Sequence, residues 1–189
     1  MSKDLLLIID MQNVYAQGGA WNCPGTEAAS GRLKKLMHEN REKFDVIFTR
    51  FLDSKNPEGV WKDYHRENLD ISNDAYANEM LSVFEEELRQ YPLYTKSVYS
   101  SLAIPEVKVA AKEANRVVVA GVVAECCVLS TVMALIDEGD YVIYLTDGVA
   151  GIDREAEIAV EQILSGLEPL HVQRMTINQY AESIKKKGE

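Results

Sequence analysis

The sequence predicts an α/β protein with three layers, α-β-α, around a doubly wound, mostly parallel sheet of five or six strands. Two observations carry this prediction. Residues 4–10, DLLLIID, and residues 116–123, RVVVAGVV, are unbroken apolar runs. Such runs are typical of parallel strands that are covered on both faces, because a strand with one face in solvent would alternate apolar and polar residues. Segments with helical spacing lie between the strands, so strand and helix alternate along the chain.

The remaining elements follow in order from the same patterns. Further strands are predicted at residues 44–51, 93–96, 141–146 and 170–175. Six helices are predicted. Two begin at the caps Thr26 and Thr176, one runs from a capping box at residues 82–85 to Pro92, and one begins at Pro105. The other two cover residues 127–139 and the segment that ends before Pro169. Residues 52–73 have no clear period and are expected to form a long lid or binding loop. The length of 189 residues predicts a single domain over residues 1–189.

Composition excludes several classes of partner. The chain has 20 basic and 30 acidic residues, which gives a net charge of −10 and disfavours nucleic acid or an anionic membrane surface. No apolar run approaches the roughly 20 residues of a membrane helix, and the first residues lack a signal-peptide layout. Three cysteines, two of them adjacent, do not form a disulfide framework. A cytoplasmic location is therefore expected.

Three ionisable positions end three predicted strands, namely Asp10, Lys96 and the pair Cys126 and Cys127. The carboxyl ends of parallel strands meet at one edge of a sheet, so we expect these side chains to converge there. A free thiol is only about 3% thiolate at neutral pH, and a nucleophilic cysteine therefore needs a base, a cation or a helix N-terminus. The turn before the helix is expected to stabilise both a thiolate and an oxyanion.

Three segments also resemble a known family. DLLLIIDMQN, YTKSVYSSL and VVVAGVVAECCVLSTVMAL are similar to motifs of the isochorismatase-like cysteine hydrolase superfamily, which includes nicotinamidases and N-carbamoylsarcosine amidases. The resemblance implies a catalytic triad of Asp10, Lys96 and Cys127. It selects Cys127 over Cys126 because the nucleophile of the family directly precedes a valine. It further implies a cis peptide before Val123 and an oxyanion hole formed by the N–H groups of Val123 and Cys127.

The resemblance predicts an enzyme, a metal-independent amidohydrolase. It would cleave the C–N bond of a small amide, carbamoyl or ureido compound through a thioester, without a cofactor, in a homo-oligomer. Nicotinamidases of the family have a metal-binding D-x-H after the second strand, where this chain reads TRFLD at residues 49–53. The one D-x-H, Asp63 to His65, lies in the predicted loop. No metal is therefore expected.

Substrate contacts are predicted from position alone. Gln12 lies two residues beyond Asp10 and Tyr99 lies three beyond Lys96, so each is a candidate substrate-binding residue. A loop hydrogen bond for Gln12 and core packing for Tyr99 are the structural alternatives. Arg50 is a further candidate for a substrate carboxylate. Trp21 and Trp61 are candidate lid aromatics.

Two other functions use the same fold. The adjacent thiols leave open a redox-sensing or non-enzymatic thiol protein, and the family resemblance leaves open an isochorismatase-type ether hydrolase. Ether cleavage does not require the thiol, so the presence of Cys127 favours C–N hydrolysis. A nucleotide-binding domain is disfavoured because the sequence has neither G-x-G-x-x-G nor G-x-x-x-x-G-K at its strand-to-helix turns.

Overall fold

A computed structural model describes residues 2–186 and contains one six-stranded sheet. Every strand pair is parallel, and the strand order is β3-β2-β1-β4-β5-β6. The strands are β1 (Asp4–Ile9), β2 (Phe44–Phe51), β3 (Leu93–Lys96), β4 (Val117–Val122), β5 (Val142–Ala150) and β6 (Val172–Met175). The order reverses between β1 and β4, which is where doubly wound sheets place their sites.

Helices cover both faces of the sheet and complete the predicted three-layer architecture. They are α1 (Thr26–Glu39), α2 (Trp61–Glu67), α3 (Leu69–Ser72), α4 (Ala75–Asn78), α5 (Pro105–Glu113), α6 (Leu129–Asp137), α7 (Arg154–Ser165) and α8 (Ile177–Lys186). No helix within residues 2–186 is long and apolar enough to cross a membrane.

Two hydrophobic cores lie on opposite faces of the sheet. The side chains of β1 alternate between them, with Leu6 and Ile8 in one core and Leu7 and Ile9 in the other. The first core packs against α1 and α8, and the second packs against α5, α6 and α7. Both faces of β1 and β4 are therefore buried, which explains why these strands read as unbroken apolar runs.

Gly121 allows β4 to approach β1 closely near the carboxyl edge. Its φ is +120°, and a Cβ at this position would lie 2.1 Å from the carbonyl oxygen of Ile9. A side chain here would collide with the backbone of the neighbouring strand. This glycine therefore keeps the ends of the two central strands together.

Several predicted elements differ from the observed ones. Residues 82–92 form two short 3₁₀ turns, Ser82–Phe84 and Glu87–Arg89, and the side chain of Ser82 does not cap a helix. Tertiary contacts fix this segment, because Leu81 donates its N–H to Met11 and Phe84 packs edge-on against Phe48. Local capping signals are weaker than such burial.

The predicted loop at residues 52–73 contains α2 and α3. Trp61, Tyr64 and His65 lie at positions i, i+3 and i+4 of α2, which places them on one helical face. Thr26 is the first residue of α1 rather than its cap. The predicted cap of α8 is confirmed, since Thr176 Oγ1 accepts the N–H of Gln179 at 3.2 Å.

A buried cluster around Asp4 ties the amino ends of the central strands to the last helix. The Asp4 carboxylate accepts hydrogen bonds from Arg116 at 2.5 Å, Asn115 at 2.9 Å and the Tyr180 hydroxyl at 3.0 Å. Burial by itself would raise the pKa of Asp4. The bonds from Arg116 and Asn115 outweigh it, so the pKa lies below that of an ordinary aspartate.

We expect Asp4→Asn to lower the free energy of unfolding at pH 7 by about 2 kcal/mol, because it removes the charge that Arg116 faces. The pKa of Asp4 is lower in the folded state than in the unfolded state. Its contribution to the free energy of unfolding is therefore complete above the unfolded-state pKa of about 3.9 and is lost as the pH falls from there through the folded-state pKa. Urea denaturation of both proteins from pH 7 downward measures the difference. Asp45→Asn, at an exposed ion pair, is the control and should change stability by less than about 0.5 kcal/mol. A difference that does not shrink in acid would contradict this account.

Candidate active site

Asp10, Lys96 and Cys127 meet at the carboxyl edge of the sheet. Asp10 directly follows β1, Lys96 is the last residue of β3, and Cys127 lies in the turn after β4. Lys96 Nζ is 2.5 Å from Asp10 Oδ2 and 3.3 Å from Cys127 Sγ. The exposed fractions of the three residues are 0%, 3% and 3%, so the contacts are shielded from water. The structure therefore brings the three predicted residues together.

Thr49 on β2 holds Asp10 in place. Its hydroxyl donates to Asp10 Oδ1 at 2.9 Å, and its carbonyl accepts the N–H of Asp10 at 3.0 Å. Asp10 has a φ of 53°, a conformation that aspartate tolerates better than most residues. Thr49 was not among the predicted residues, although a hydroxyl inside the largely apolar run FDVIFTRF was a usable signal.

Lys96 remains an ammonium despite its burial. Burial alone would lower its pKa, but the charge of Asp10 and the hydrogen bonds with Asp10 and Cys127 raise it above the usual value. Nζ also contacts the carbonyl oxygen of Val98 at 3.3 Å and lies 5.3 Å from the centre of the Phe51 ring. The ammonium thus faces a carboxylate, a sulfur, a carbonyl and an aromatic ring.

The resting form of Cys127 is the thiol. Burial and the neighbouring charge of Asp10 raise its pKa well above the usual value, and Lys96 opposes them only in part. A thiolate therefore forms only when a base takes the proton, and its stabilisation by the turn stays a prediction. Cys127 lies inside a π-helical turn, Ala124–Val128. π-Helical turns are frequent at functional sites.

The turn before Cys127 has the backbone that the resemblance implies. The peptide between Val122 and Val123 is cis. The carbonyl oxygen of Val123 accepts the N–H groups of Cys126 and Val128, both at 3.1 Å. Within residues 2–186 the N–H of Val123 donates no hydrogen bond.

A pocket of about 210 Å³ has Cys127 in its lining, and half of its lining residues are aromatic. The predicted residues Tyr99 and Trp21 line it, whereas Trp61 packs behind Tyr99 with its ring centre 5.0 Å away. The site residues Val123, Cys126 and Cys127 were also predicted, and the other half of the lining was not. The full lining is Tyr15, Trp21, Phe51, Tyr64, Tyr99, Val123, Glu125, Cys126, Cys127 and Ile152.

Gln12 makes the loop hydrogen bonds of the structural alternative and is not in the pocket lining, so a substrate contact stays a prediction. It is 1% exposed, and its Nε2 donates to the carbonyls of Phe51 at 3.1 Å and Asn78 at 3.0 Å. Its Oε1 accepts the N–H of Phe51 at 2.8 Å. Arg50 is likewise outside the pocket lining and donates to Thr95 at 3.0 Å.

The described residues do not supply a metal-binding set. His65 contacts Asp53, with Nε2 3.4 Å from Oδ1, and not the Asp63 of the D-x-H segment. Asp63 instead pairs with Arg66 at 2.8 Å. Within residues 2–186 no group of three or more His, Cys, Asp or Glu side chains is arranged to hold a metal ion.

The fold and the site define a class, a parallel three-layer α/β protein with an acid, a lysine and a cysteine at the carboxyl edge of its sheet. The family model described as isochorismatase domain matches residues 4–171. The chain therefore belongs to the isochorismatase-like hydrolase family. No curated protein matches the sequence.

Solved structures share this fold. A cysteine hydrolase from Pseudomonas syringae pv. phaseolicola has a TM-score of 0.82 at 18% identity, covering 97% of this chain and 93% of that one. An isochorismatase-like hydrolase from Alkaliphilus metalliredigens has a TM-score of 0.76 at 21% identity, covering 96% and 99%. A pyrazinamidase of Pyrococcus horikoshii, solved with zinc, has a TM-score of 0.73 at 19% identity, covering 92% and 99%. At these identities the likeness shows the fold.

We expect Gln12→Leu to lower the free energy of unfolding by about 2 kcal/mol, because the buried N–H and carbonyl of Phe51 lose their partner. Urea denaturation measures this change. Gln90→Leu is the matched control, since the Gln90 amide is exposed, and it should stay within about 0.5 kcal/mol. Unchanged stability of the Gln12 variant would contradict the structural role.

Proposed function

We propose that this protein is a cysteine hydrolase that cleaves the C–N bond of a small amide, carbamoyl or ureido compound. One observation carries the proposal: a single buried ammonium, Lys96 Nζ, contacts both Asp10 Oδ2 and Cys127 Sγ, and Cys127 lines a pocket. A base, a cation and a nucleophile in mutual contact are the parts that nucleophilic catalysis by a thiol requires.

The first step is proton transfer from the Cys127 thiol to Asp10. The raised pKa of Cys127 means that the thiolate forms only when a base accepts the proton. Asp10 is that base in the proposal, since its carboxylate and the sulfur share the Lys96 ammonium. The ammonium stabilises the thiolate as it forms, because opposite charges attract strongly in a site shielded from water.

The second step is attack of the thiolate on the substrate carbonyl carbon, which gives a tetrahedral oxyanion. We assign stabilisation of this oxyanion to the N–H groups of Val123 and Cys127. The unused N–H of Val123, beside the sulfur-bearing turn, supports the assignment.

The third step is collapse of the tetrahedral species. Asp10 returns its proton to the departing nitrogen, the C–N bond breaks, and an amine or ammonia leaves. Water then attacks the Cys127 thioester while Asp10 accepts one of its protons. The C–S bond breaks, the acid product departs, and Asp10 returns the proton to the sulfur, which restores the thiol. The sum is one amide and one water converted to one acid and one amine.

We expect Cys127→Ala and Cys127→Ser to reduce turnover about a thousandfold or more, because the attacking sulfur is lost. The measurement is ammonia release from a panel of primary amides, carbamoyl compounds and ureides. Cys126→Ala is the matched control and should lose less than tenfold, since Lys96 contacts the other sulfur. Near-native turnover by the Cys127 variants, with circular dichroism showing them folded, would refute the assignment.

We expect Thr49→Val to lower kcat about tenfold and leave KM unchanged. The variant removes the hydrogen bond that orients Asp10 without altering the pocket wall, and one such bond is worth about 1.4 kcal/mol. Steady-state kinetics on the best substrate of the panel give both constants. Thr95→Val, the same change on the exposed face of β3, should leave both near native. A shift in KM alone would show that Thr49 does not act through Asp10.

A further inference from the structure

Glu125 is a second acid in the pocket, and the steps above do not use it. It lines the pocket two residues before Cys127. Its Oε1 accepts the N–H of Ile152 at 3.2 Å. Its Oε2 is shielded from solvent and has no hydrogen-bond partner among residues 2–186. A carboxylate oxygen without a donor is costly, and rotation of the carboxyl group toward a ligand in the pocket that brings a donor would remove that cost.

The charge of Glu125 is also uncompensated within the described part of the chain. The one cation of the site, Lys96, pairs with Asp10 at 2.5 Å. Cys127 is neutral at rest, because burial and Asp10 raise its pKa. Burial and the negative charge of Glu125 also raise the pKa of Cys126, another group of the wall. The pocket as a whole is therefore negative.

The aromatic wall favours the same kind of ligand. Trp21, Tyr64 and Tyr99 line the pocket with Glu125. Burial raises the pKa of both tyrosines, so their rings stay uncharged. An ammonium is attracted to the face of such rings and to a carboxylate, whereas a substrate carboxylate would be repelled by Glu125.

We propose that Glu125 is a specificity-determining residue that binds an ammonium group of the substrate. The substrate class is then a small amide, carbamoyl or ureido compound that carries a protonated amine away from the scissile bond. This assignment of the substrate rests on the proposed hydrolase function. Ile152 orients the carboxylate through its backbone N–H, and Gly151 leaves room for it, since a Cβ there would lie 2.9 Å from Oε2.

Three probes of one chain length separate the charges. 4-Aminobutyramide carries an ammonium, pentanamide replaces it with a methyl group, and glutaramate carries a carboxylate. Binding is measured by calorimetry on the Cys127→Ala protein, so that turnover does not consume the probe. We expect 4-aminobutyramide to bind at least tenfold tighter than pentanamide, and glutaramate to bind at least tenfold more weakly.

Glu125→Gln in the same background should abolish the preference for the ammonium while leaving the affinity for pentanamide within twofold. The variant keeps an oxygen that can accept the N–H of Ile152. Glu157→Gln is the matched control and should keep the preference, because Glu157 accepts the N–H of Gly151 at 3.2 Å but does not line the pocket. Equal binding of the three probes, no binding, or a preference that survives in Glu125→Gln would overturn the inference.

Ammonia release by the unmodified protein separates this inference from the proposed function. If the binding preference depends on Glu125 but no probe releases ammonia, the ammonium site stands and the hydrolase proposal is contradicted. If ammonia is released from all three probes at similar kcat/KM and Glu125→Gln changes nothing, the hydrolase proposal stands and Glu125 serves only to hold residues 151–152.

Discussion

The buried ammonium of Lys96 is the interaction on which the whole site depends. A cation removed from water is stable only when it faces a negative group and has its hydrogen bonds satisfied. Asp10 provides the charge, and Cys127 and the carbonyl of Val98 take up further contacts. Lys96 lies at the end of β3, Asp10 at the end of β1 and Cys127 in the turn after β4. Lys96 can therefore stay charged in the interior only because the strand order brings these three ends together.

Two residues outside the triad help to bring Asp10, Lys96 and Cys127 within hydrogen-bonding distance. Gly121 lets β4 lie against β1, which sets the separation between the acid and the turn that carries the sulfur. Thr49 on the neighbouring strand fixes the rotation of the Asp10 carboxylate. Neither residue touches the pocket. Each restricts the conformation of a neighbouring group at the site, as rigid scaffolds do when they position functional groups.

The sequence predicted the parts of this arrangement that depend on chain direction and burial. β1 and β4 were recognisable because strands buried on both faces are continuously apolar, and the meeting of Asp10, Lys96 and Cys127 follows from the shared edge of parallel strands. The role of Gln12 was not predictable, because Phe51, its main partner, is 39 positions away. Part of the pocket wall was missed for the same reason, since α2, which carries Tyr64, was not recognised and the partner of Glu125 is 27 positions away.

The raised pKa of Cys127 has a consequence for the reaction of this thiol with oxidants. Peroxides attack the thiolate of a cysteine, and the most sensitive cysteines are acidic and open to solvent. Cys127 is the reverse, a protonated sulfur that is 3% exposed. The burial and the neighbouring carboxylate that keep this sulfur protonated therefore also slow its conversion to sulfenic acid.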